Sequence, residues 1–418
     1  MRAPVSSHLG HDLGGVRWAV WLRSAVVDFD LPLDDDPRRL AMRAWLTDNP
    51  DPTGRQLAEA GYVVPHWPAP WGLDADPIHQ IIIDDELRRA GVRRPSNQIG
   101  IGWAGPTILH AGTEQQKERY LFPLLAAEEI WCQLFSEPEA GSDLANLSTR
   151  AERDGDEYVV NGQKIWTSLG HFSQFGILIA RTNPDAPKHK GVSYLICPMD
   201  APGIEIRPII EMTGGHTFNE VFFTDVRLPV ENLVGEEHEG WSLAKVTLAN
   251  ERVSLSGGGA LWGLGPTADD VLDLVKAQGG VSDPVLRQRV AGLYIESEIL
   301  RLIRLRSVTA AIAGRQPGPE ASVRKVLADE HGQHLMGLVK DLCGASGMLQ
   351  DGRPLGADPG MWGFGYLFAQ ALTIGGGTGD VQRNILGERV LDLPHDVDVE
   401  AGLTWVEARA ARRDVATR

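Results

Sequence analysis

Cysteine is scarce. The three in 418 residues, Cys132, Cys197 and Cys343, stand far apart and form no CxxC pair. That spacing gives neither a disulfide framework nor a thiolate metal site, and it fits a reducing cytoplasm. Long apolar runs are missing too: none reaches the roughly 18 residues that a membrane span needs, and no compact signal core precedes a small-residue cleavage site. Basic residues are in deficit, 40 Lys and Arg against 56 Asp and Glu, for a formal charge of -16. Such a surface has no general attraction for nucleic acid or an anionic membrane. P-loops, GxSxG elbows, internal repeats and low-complexity tracts are absent as well. What remains, 43% hydrophobic and 23% charged residues, is an ordinary globular composition, long enough for two or three domains or one large layered one.

Residues 1–26 carry Arg2, Arg17 and Arg23 against the single acid Asp12, and are expected to form an N-terminal extension; an organelle presequence is the alternative. Residues 27–129 favour helices. Ile78, Ile81, Ile82, Leu87 and Ala90 fall on one face of a 3.6-residue period, with Asp76 as N-cap and Gly91 as stop. A further helix after Thr113 carries Tyr120, Leu121, Leu124 and Leu125. In residues 130–236 the punctuation changes. Asp154-Gly155 and Asn161-Gly162 bracket Tyr158-Val159-Val160, a hairpin signal. Strand-like runs follow at Phe175 to Ala180, Gly191 to Ile196, Ile204 to Ile210 and Asn219 to Phe223, the pattern of a β-sandwich or barrel. Helical periods return over 237–394, and 395–418 form a tail. The expected class is α+β in the order helical, β, helical.

Two motifs fail on context. Gly100-Ile101-Gly102-Trp103-Ala104-Gly105 matches GxGxxG, yet the polar stretch Arg93 to Gln98 precedes it where a dinucleotide fold needs a buried strand; close helix packing is the expected use. Gly263 to Ala268 follows a helix and fails likewise. His331 and His334, beside Glu330, share a helical face, but with no third ligand a surface or interface role is expected and no metal site.

Three separated segments carry chemistry. Cys132-Gln133-Leu134-Phe135-Ser136-Glu137-Pro138-Glu139-Ala140-Gly141-Ser142-Asp143-Leu144 is an apolar strand end running into a loop. Gly141 permits close backbone approach, and Ser136 and Ser142 supply small donors to a flat, polar-edged ligand. Gly162-Gln163-Lys164-Ile165-Trp166-Thr167-Ser168 sets an indole beside two hydroxyls, suited to stacking on a ring and bonding its edge. Ile374-Gly375-Gly376-Gly377-Thr378-Gly379-Asp380-Val381-Gln382-Arg383 is a glycine-rich run into a helix, whose free N–H groups favour an anion or a polarised carbonyl oxygen. Taken singly, each also reads as a turn, a core strand or a capped loop.

Together, in this order and spacing, the segments resemble the acyl-CoA dehydrogenase family, from about Phe29 to Pro394. The resemblance implies an N-terminal helical domain, a middle β-barrel and a C-terminal four-helix bundle, with FAD between barrel and bundle. It implies that Gln133, Leu134, Phe135, Ser136 and Gly141 hold the flavin, that Ser142 also faces the thioester arm, and that Trp166, Thr167 and Ser168 cover the other side of the ring. A neighbouring subunit shares the nucleotide in the family, which points to Asp341, Gly344, Thr378 and Asp380 and to a dimer or tetramer.

The implied reaction removes two hydrogens across the α–β bond of an acyl-CoA, giving a trans-2-enoyl-CoA, with an electron-transfer flavoprotein or similar acceptor taking the electrons. The family's usual base is a glutamate in the glycine-rich segment, where this chain has Gly376; only its N–H remains, as an oxyanion donor. A subset carries the base on the first bundle helix. There Glu251 lies three residues after Leu248 and four before Leu255, on an apolar face where desolvation raises a carboxyl's pKa. Asn250, Arg252 and Gly377 join it as substrate residues. A buried ion pair with Arg252 or Arg383 is the structural alternative. Between Trp262 and Pro284 the family's Arg, Phe, Gly element is missing and Asp269-Asp270-Val271-Leu272-Asp273-Leu274 stands there. That departure keeps two alternatives: a mainly structural subunit of a hetero-oligomer, as in bacterial sterol side-chain breakdown, and an oxidase or acyl-carrier-protein dehydrogenase on the same fold. Gly375 to Gly377 and Gly257 to Gly259 suggest a wide acyl pocket for a branched, cyclic or steroid chain, or else close helix packing.

Overall fold

The computed structural model describes residues 32–255, 260–262, 265–312, 318–348 and 359–416. The first layer comprises α1 (Pro37–Asp48), α2 (Gly54–Glu59), α3 (Pro77–Arg89), a π-helical turn at Gly100–Ala104, α4 (Gly105–Ala111) and α5 (Glu114–Leu125). Asp76 caps α3, accepting from the His79 N–H at 2.8 Å, and Gly91 ends it at φ +70°. Its buried face is Ile82, Ile83, Glu86 and Leu87, whereas Ile78 and Ile81 are only half-buried and Ala90 is exposed. The face is rotated because Glu86 turns inward to pair with Arg39 and Arg43 of α1, which periodicity alone does not reveal. At the GxGxxG run, a Cβ on Gly100 would lie 2.3 Å from the Asn97 amide and one on Gly105 2.7 Å from the Trp67 ring. These glycines serve helix packing.

The middle of the chain is one mixed sheet: β1 (Trp131–Leu134), β2 (Arg150–Asp154), β3 (Glu157–Ser168), β4 (Phe175–Arg181), β5 (Val192–Pro198), β6 (Ile204–Pro208) and β7 (Phe218–Pro229). The order is β1-β4-β2-β3-β7-β6, with β5 on the other edge of β4. β1 runs parallel to β4; β2–β3, β3–β7, β4–β5 and β6–β7 are antiparallel. Inward residues from distant strands, among them Cys132, Tyr158, Leu178, Leu195, Val221 and Leu228, meet in one core, so the sheet curls around it as a half-barrel. Asp154-Gly155 makes the hairpin turn. Asn161-Gly162 does not: it lies inside β3 at a register shift against β7, where a Cβ on Gly162 would fall 2.5 Å from Thr149 Oγ1.

The third layer contains α6 (Gly240–Leu255), α7 (Ala268–Ala277), α8 (Pro284–Ile312), α9 (Ala321–Cys343), α10 (Pro359–Phe368) and α11 (Gly379–Arg389). α7 buries Val271 and Leu274 and leaves Asp269, Asp270 and Asp273 outside. His331 and His334 of α9 both bond Glu296 of α8, at 3.1 and 3.0 Å. α12 (Trp405–Ala416) returns to the barrel, with the Trp405 N–H on Ala186 O at 2.9 Å. α6 is the seam between all three layers: the Thr247 hydroxyl lies 2.8 Å from that of Thr107 on α4 and 3.1 Å from that of Tyr194 on β5. No helix among the described residues is long and apolar enough to cross a membrane.

Candidate active site

β1 ends at Leu134 and hands the chain to the loop that closes at Glu137 and Ala140, whose backbones exchange two 3.0 Å hydrogen bonds. Beneath it Lys164 of β3 is fully buried. Its ammonium donates to Phe135 O at 2.9 Å and to Glu137 Oε1 at 2.8 Å. Glu137 also accepts from the Ser148 N–H and hydroxyl and the Thr149 N–H, at 2.6, 2.9 and 2.9 Å. Burial alone would push the Glu137 carboxyl up, but Lys164 and these donors hold it at about 2. The backbone of Leu134 to Ser136 is therefore anchored from below. Gly141 and Ser142 are exposed at the loop's outer turn.

Ile165 N–H bonds Ser136 O at 2.9 Å, so the second segment lies against the first. Trp166 sits at a break in the β3–β7 register with φ +61°, a strained conformation for a side-chain-bearing residue. It turns the indole outward, 57% exposed, edge-on to Phe218 at 6.0 Å. Thr167 points the opposite way; its hydroxyl is buried with no partner among the described residues. An outward indole beside a fixed backbone edge is a fitting cradle for an isoalloxazine rim, and the buried Thr167 hydroxyl faces away from it. Ser168 is half-buried at the end of β3.

Aromatic contacts bridge this cradle to the glycine segment: Phe218 stacks on Phe368 at 6.5 Å, and Phe368 meets Trp262 edge-on at 5.2 Å. The Trp262 ring leaves no room for a side chain at Gly375, whose Cβ would lie 2.5 Å away. Gly376 and Gly377 have φ of +69° and +86°. Thr378 caps α11, its hydroxyl accepting from Val381 N–H at 3.2 Å, and with Asp380, Asp329, Gln333 and Arg383 it rims a cleft of about 280 Å³.

Glu251, on the α6 stripe of Ala244 and Thr247, is 6% exposed. Gln133 of β1 donates to its Oε2 at 3.2 Å, which joins the first segment to the base helix. Arg383 is engaged elsewhere, with Glu330 at 2.5 Å; the Arg252 side chain, Gly257 to Gly259 and Gly263-Leu264 lie outside the described residues. Asn250 bonds back to Val246 O at 2.9 Å. Asp341 and Gly344 are not brought to this cluster. Asp341 pairs with Arg289 at 2.7 Å and lies twelve residues beyond Asp329 on α9, about 18 Å along the helix.

Several site residues carried no sequence signal. Lys164 and Glu137 looked like an ordinary strand lysine and loop acid, and Gln382, fully buried, donates to Gly376 O at 3.1 Å. The tail's signal was present: Thr404 and Glu407 form a capping box before α12. From that helix Arg412 pairs with Asp143 at 2.8 Å and Arg409 with Glu139 at 3.2 Å, so α12 clamps the Ser142 loop.

Family models for the N-terminal, middle and C-terminal domains of acyl-CoA dehydrogenase match residues 37–128, 132–226 and 238–391. The chain belongs to the acyl-CoA dehydrogenase family, and its cofactor is FAD. It is similar to acyl-CoA dehydrogenase FadE34 of Mycobacterium tuberculosis, 42% identical over 339 residues that make up 81% of this chain and 45% of that one. The chain thus spans less than half the length of FadE34. Among solved structures, the Tcur3481-Tcur3483 steroid ACAD has a TM-score of 0.72 at 30% identity, covering 86% of this chain and 97% of that chain. The ChsE4-ChsE5 complex from Mycobacterium tuberculosis has a TM-score of 0.71 at 32% identity, covering 88% and 100%.

Proposed function

We propose that this chain oxidises an acyl-CoA thioester to its trans-2-enoyl-CoA, with Glu251 as the base that takes the α-proton. The observation that carries this reading is the position of Glu251: a nearly buried carboxylate at the seam of α6 and β1, hydrogen-bonded by Gln133 at 3.2 Å. A buried carboxylate there is costly unless it is paired or has a task. The Gly376 N–H polarises the thioester oxygen and stabilises the enolate-like charge as the α-proton leaves. The hydride acceptor for the β-carbon would be supplied by FAD. The backbone of Leu134, Phe135 and Ser136 would hold its edge, Trp166 and Ser168 would close the other side, and Ser142, Asn250 and Gly377 would line the way in for the thioester.

The substrate class is a branched, cyclic or steroid-derived acyl chain, supported by similarity to a steroid ACAD; Gly375 and Gly377 instead serve close packing against Trp262 and Gln382. Asp341, Gly344, Thr378 and Asp380 reach a nucleotide across a subunit interface in a dimer or tetramer, and the similarity to the ChsE4-ChsE5 complex supports a second, different chain. An electron-transfer flavoprotein or similar carrier reoxidises the enzyme in the cytoplasm. One observation favours a second reading, a mainly structural subunit: α7 presents Asp269, Asp270 and Asp273, and its Lys276 is paired with Asp273 at 2.8 Å, so it offers no free cation for a diphosphate. Anaerobic titration of the purified protein with a panel of acyl-CoAs separates the two. Yellow protein whose flavin bleaches with one acyl class is the expected result; colourless protein that gains flavin only with a partner chain supports the second.

A further inference from the structure

Lys325 and Asp329 stand one turn apart on α9, at 0% and 3% exposure, paired with each other. The ammonium has two further partners: it donates to Leu372 O at 3.1 Å and Gly375 O at 3.0 Å. Its three protons are thus spent on one carboxylate and on two carbonyls of the turn before α11. A buried ion pair is seldom a better source of stability than an apolar pair of the same size. What this one supplies that an apolar pair cannot is a direction.

The Gly375 carbonyl and the Gly376 N–H belong to one planar trans peptide, so they point opposite ways. With the carbonyl held on Lys325, the Gly376 N–H faces away from α9. The next peptide is held by the Gln382 amide on Gly376 O at 3.1 Å. Trp262 closes the open side of Gly375, 2.5 Å from where a Cβ would be. Between these holds Gly376 keeps φ +69°, a conformation that glycine adopts without strain.

We infer that Lys325 is a positioning residue for the reaction: by fixing the Gly375–Gly376 peptide it aims the Gly376 N–H at the thioester oxygen. This rests on the reading of Gly376 as the oxyanion donor. Asp329 keeps the ammonium in place and leaves it no freedom to follow solvent.

The test uses flavin-loaded full-length protein and a 3-thia-acyl-CoA, whose α-proton can leave but whose sulfur has no hydride to give. Its bound enolate shows a long-wavelength charge-transfer band with oxidised flavin, and the pH midpoint of that band reports enolate stabilisation. Lys325→Met removes the donors; Lys325→Met/Asp329→Asn also removes the stranded carboxylate, so a folded variant is at hand; Lys325→Arg keeps donors. Loss of one oxyanion donor lowers kcat by about 100- to 1,000-fold, and a misdirected one is expected to lower it at least ~10-fold, with KM changed less than ~3-fold. The midpoint is expected to rise by about one pH unit, and Lys325→Arg to restore part of it. A merely structural lysine would lower melting temperature and flavin content without moving the midpoint; that result in the double variant overturns the inference and leaves the reading of Gly376 intact. If the wild-type protein binds the analogue without any band, both fall together.

Discussion

Replacing Glu137 with Gln keeps the shape of the side chain and removes its charge. Lys164 is then a fully buried ammonium with Phe135 O, at 2.9 Å, as its remaining backbone acceptor. Breaking a buried pair from one side costs about 3–5 kcal/mol. A second route gives a similar size: a carboxyl that falls from an ordinary 4.5 to about 2 on folding contributes about 3 kcal/mol. Because the folded value is the lower one, that contribution is complete above pH 4.5 and is lost as pH falls through about 2. Burial pushes the Lys164 ammonium down in turn, against the charge of Glu137 and then its hydrogen bond, which pull it back up. Urea unfolding at a series of pH values checks this. Glu137→Gln should lose about 3 kcal/mol at pH 7 and lack the wild type's fall in stability between pH 4.5 and 2. It should also release FAD more readily, because the stranded Lys164 holds Phe135 less firmly, while Glu137→Gln/Lys164→Met should recover much of the stability. A single variant as stable as wild type, with the same acid dependence, would refute the reasoning.

Thr247→Val leaves the buried hydroxyls of Tyr194 and Thr107 without the oxygen now 3.1 and 2.8 Å away. It should cost about 1–3 kcal/mol in thermal unfolding, and an unchanged melting temperature would show that α6 is held by packing alone. Trp405 stacks on the guanidinium of Arg181 at 5.0 Å and on that of Arg409 at 5.1 Å. Trp405→Ala should free the loop carrying Ser142 and raise KM for the thioester several-fold, about 1 kcal/mol, with kcat little changed in steady-state assays; an unchanged KM would separate α12 from the site.

The order helical, β, helical was legible because it depends on periodicity and turn chemistry, both local. Asp76, Gly91, Thr113 and Asp154-Gly155 act on their own neighbours, and the structure uses each as expected. The misreadings are long-range. Asn161-Gly162 has the composition of a turn, yet Thr149 across the sheet requires the glycine. Ile78 and Ile81 share a period with Ile82, yet the inward turn of Glu86 toward Arg39 rotates the buried face. In the site, Trp166 and Gly376 stood out as unusual residue types. Lys164, Lys325 and Gln382 did not, since their roles come from partners 29, 50 and 6 residues away in the chain, and burial of a lysine or glutamine leaves no local pattern.

The proposed reaction depends first on Glu251 taking the α-proton. Mixing Glu251→Gln with saturating acyl-CoA in an anaerobic stopped-flow instrument measures it as the rate of flavin bleaching. Loss of a positioned base should slow that rate by about 100- to 10,000-fold, with flavin content and thioester affinity retained. Bleaching at the wild-type rate would remove Glu251 from the chemistry and return the base to a residue elsewhere.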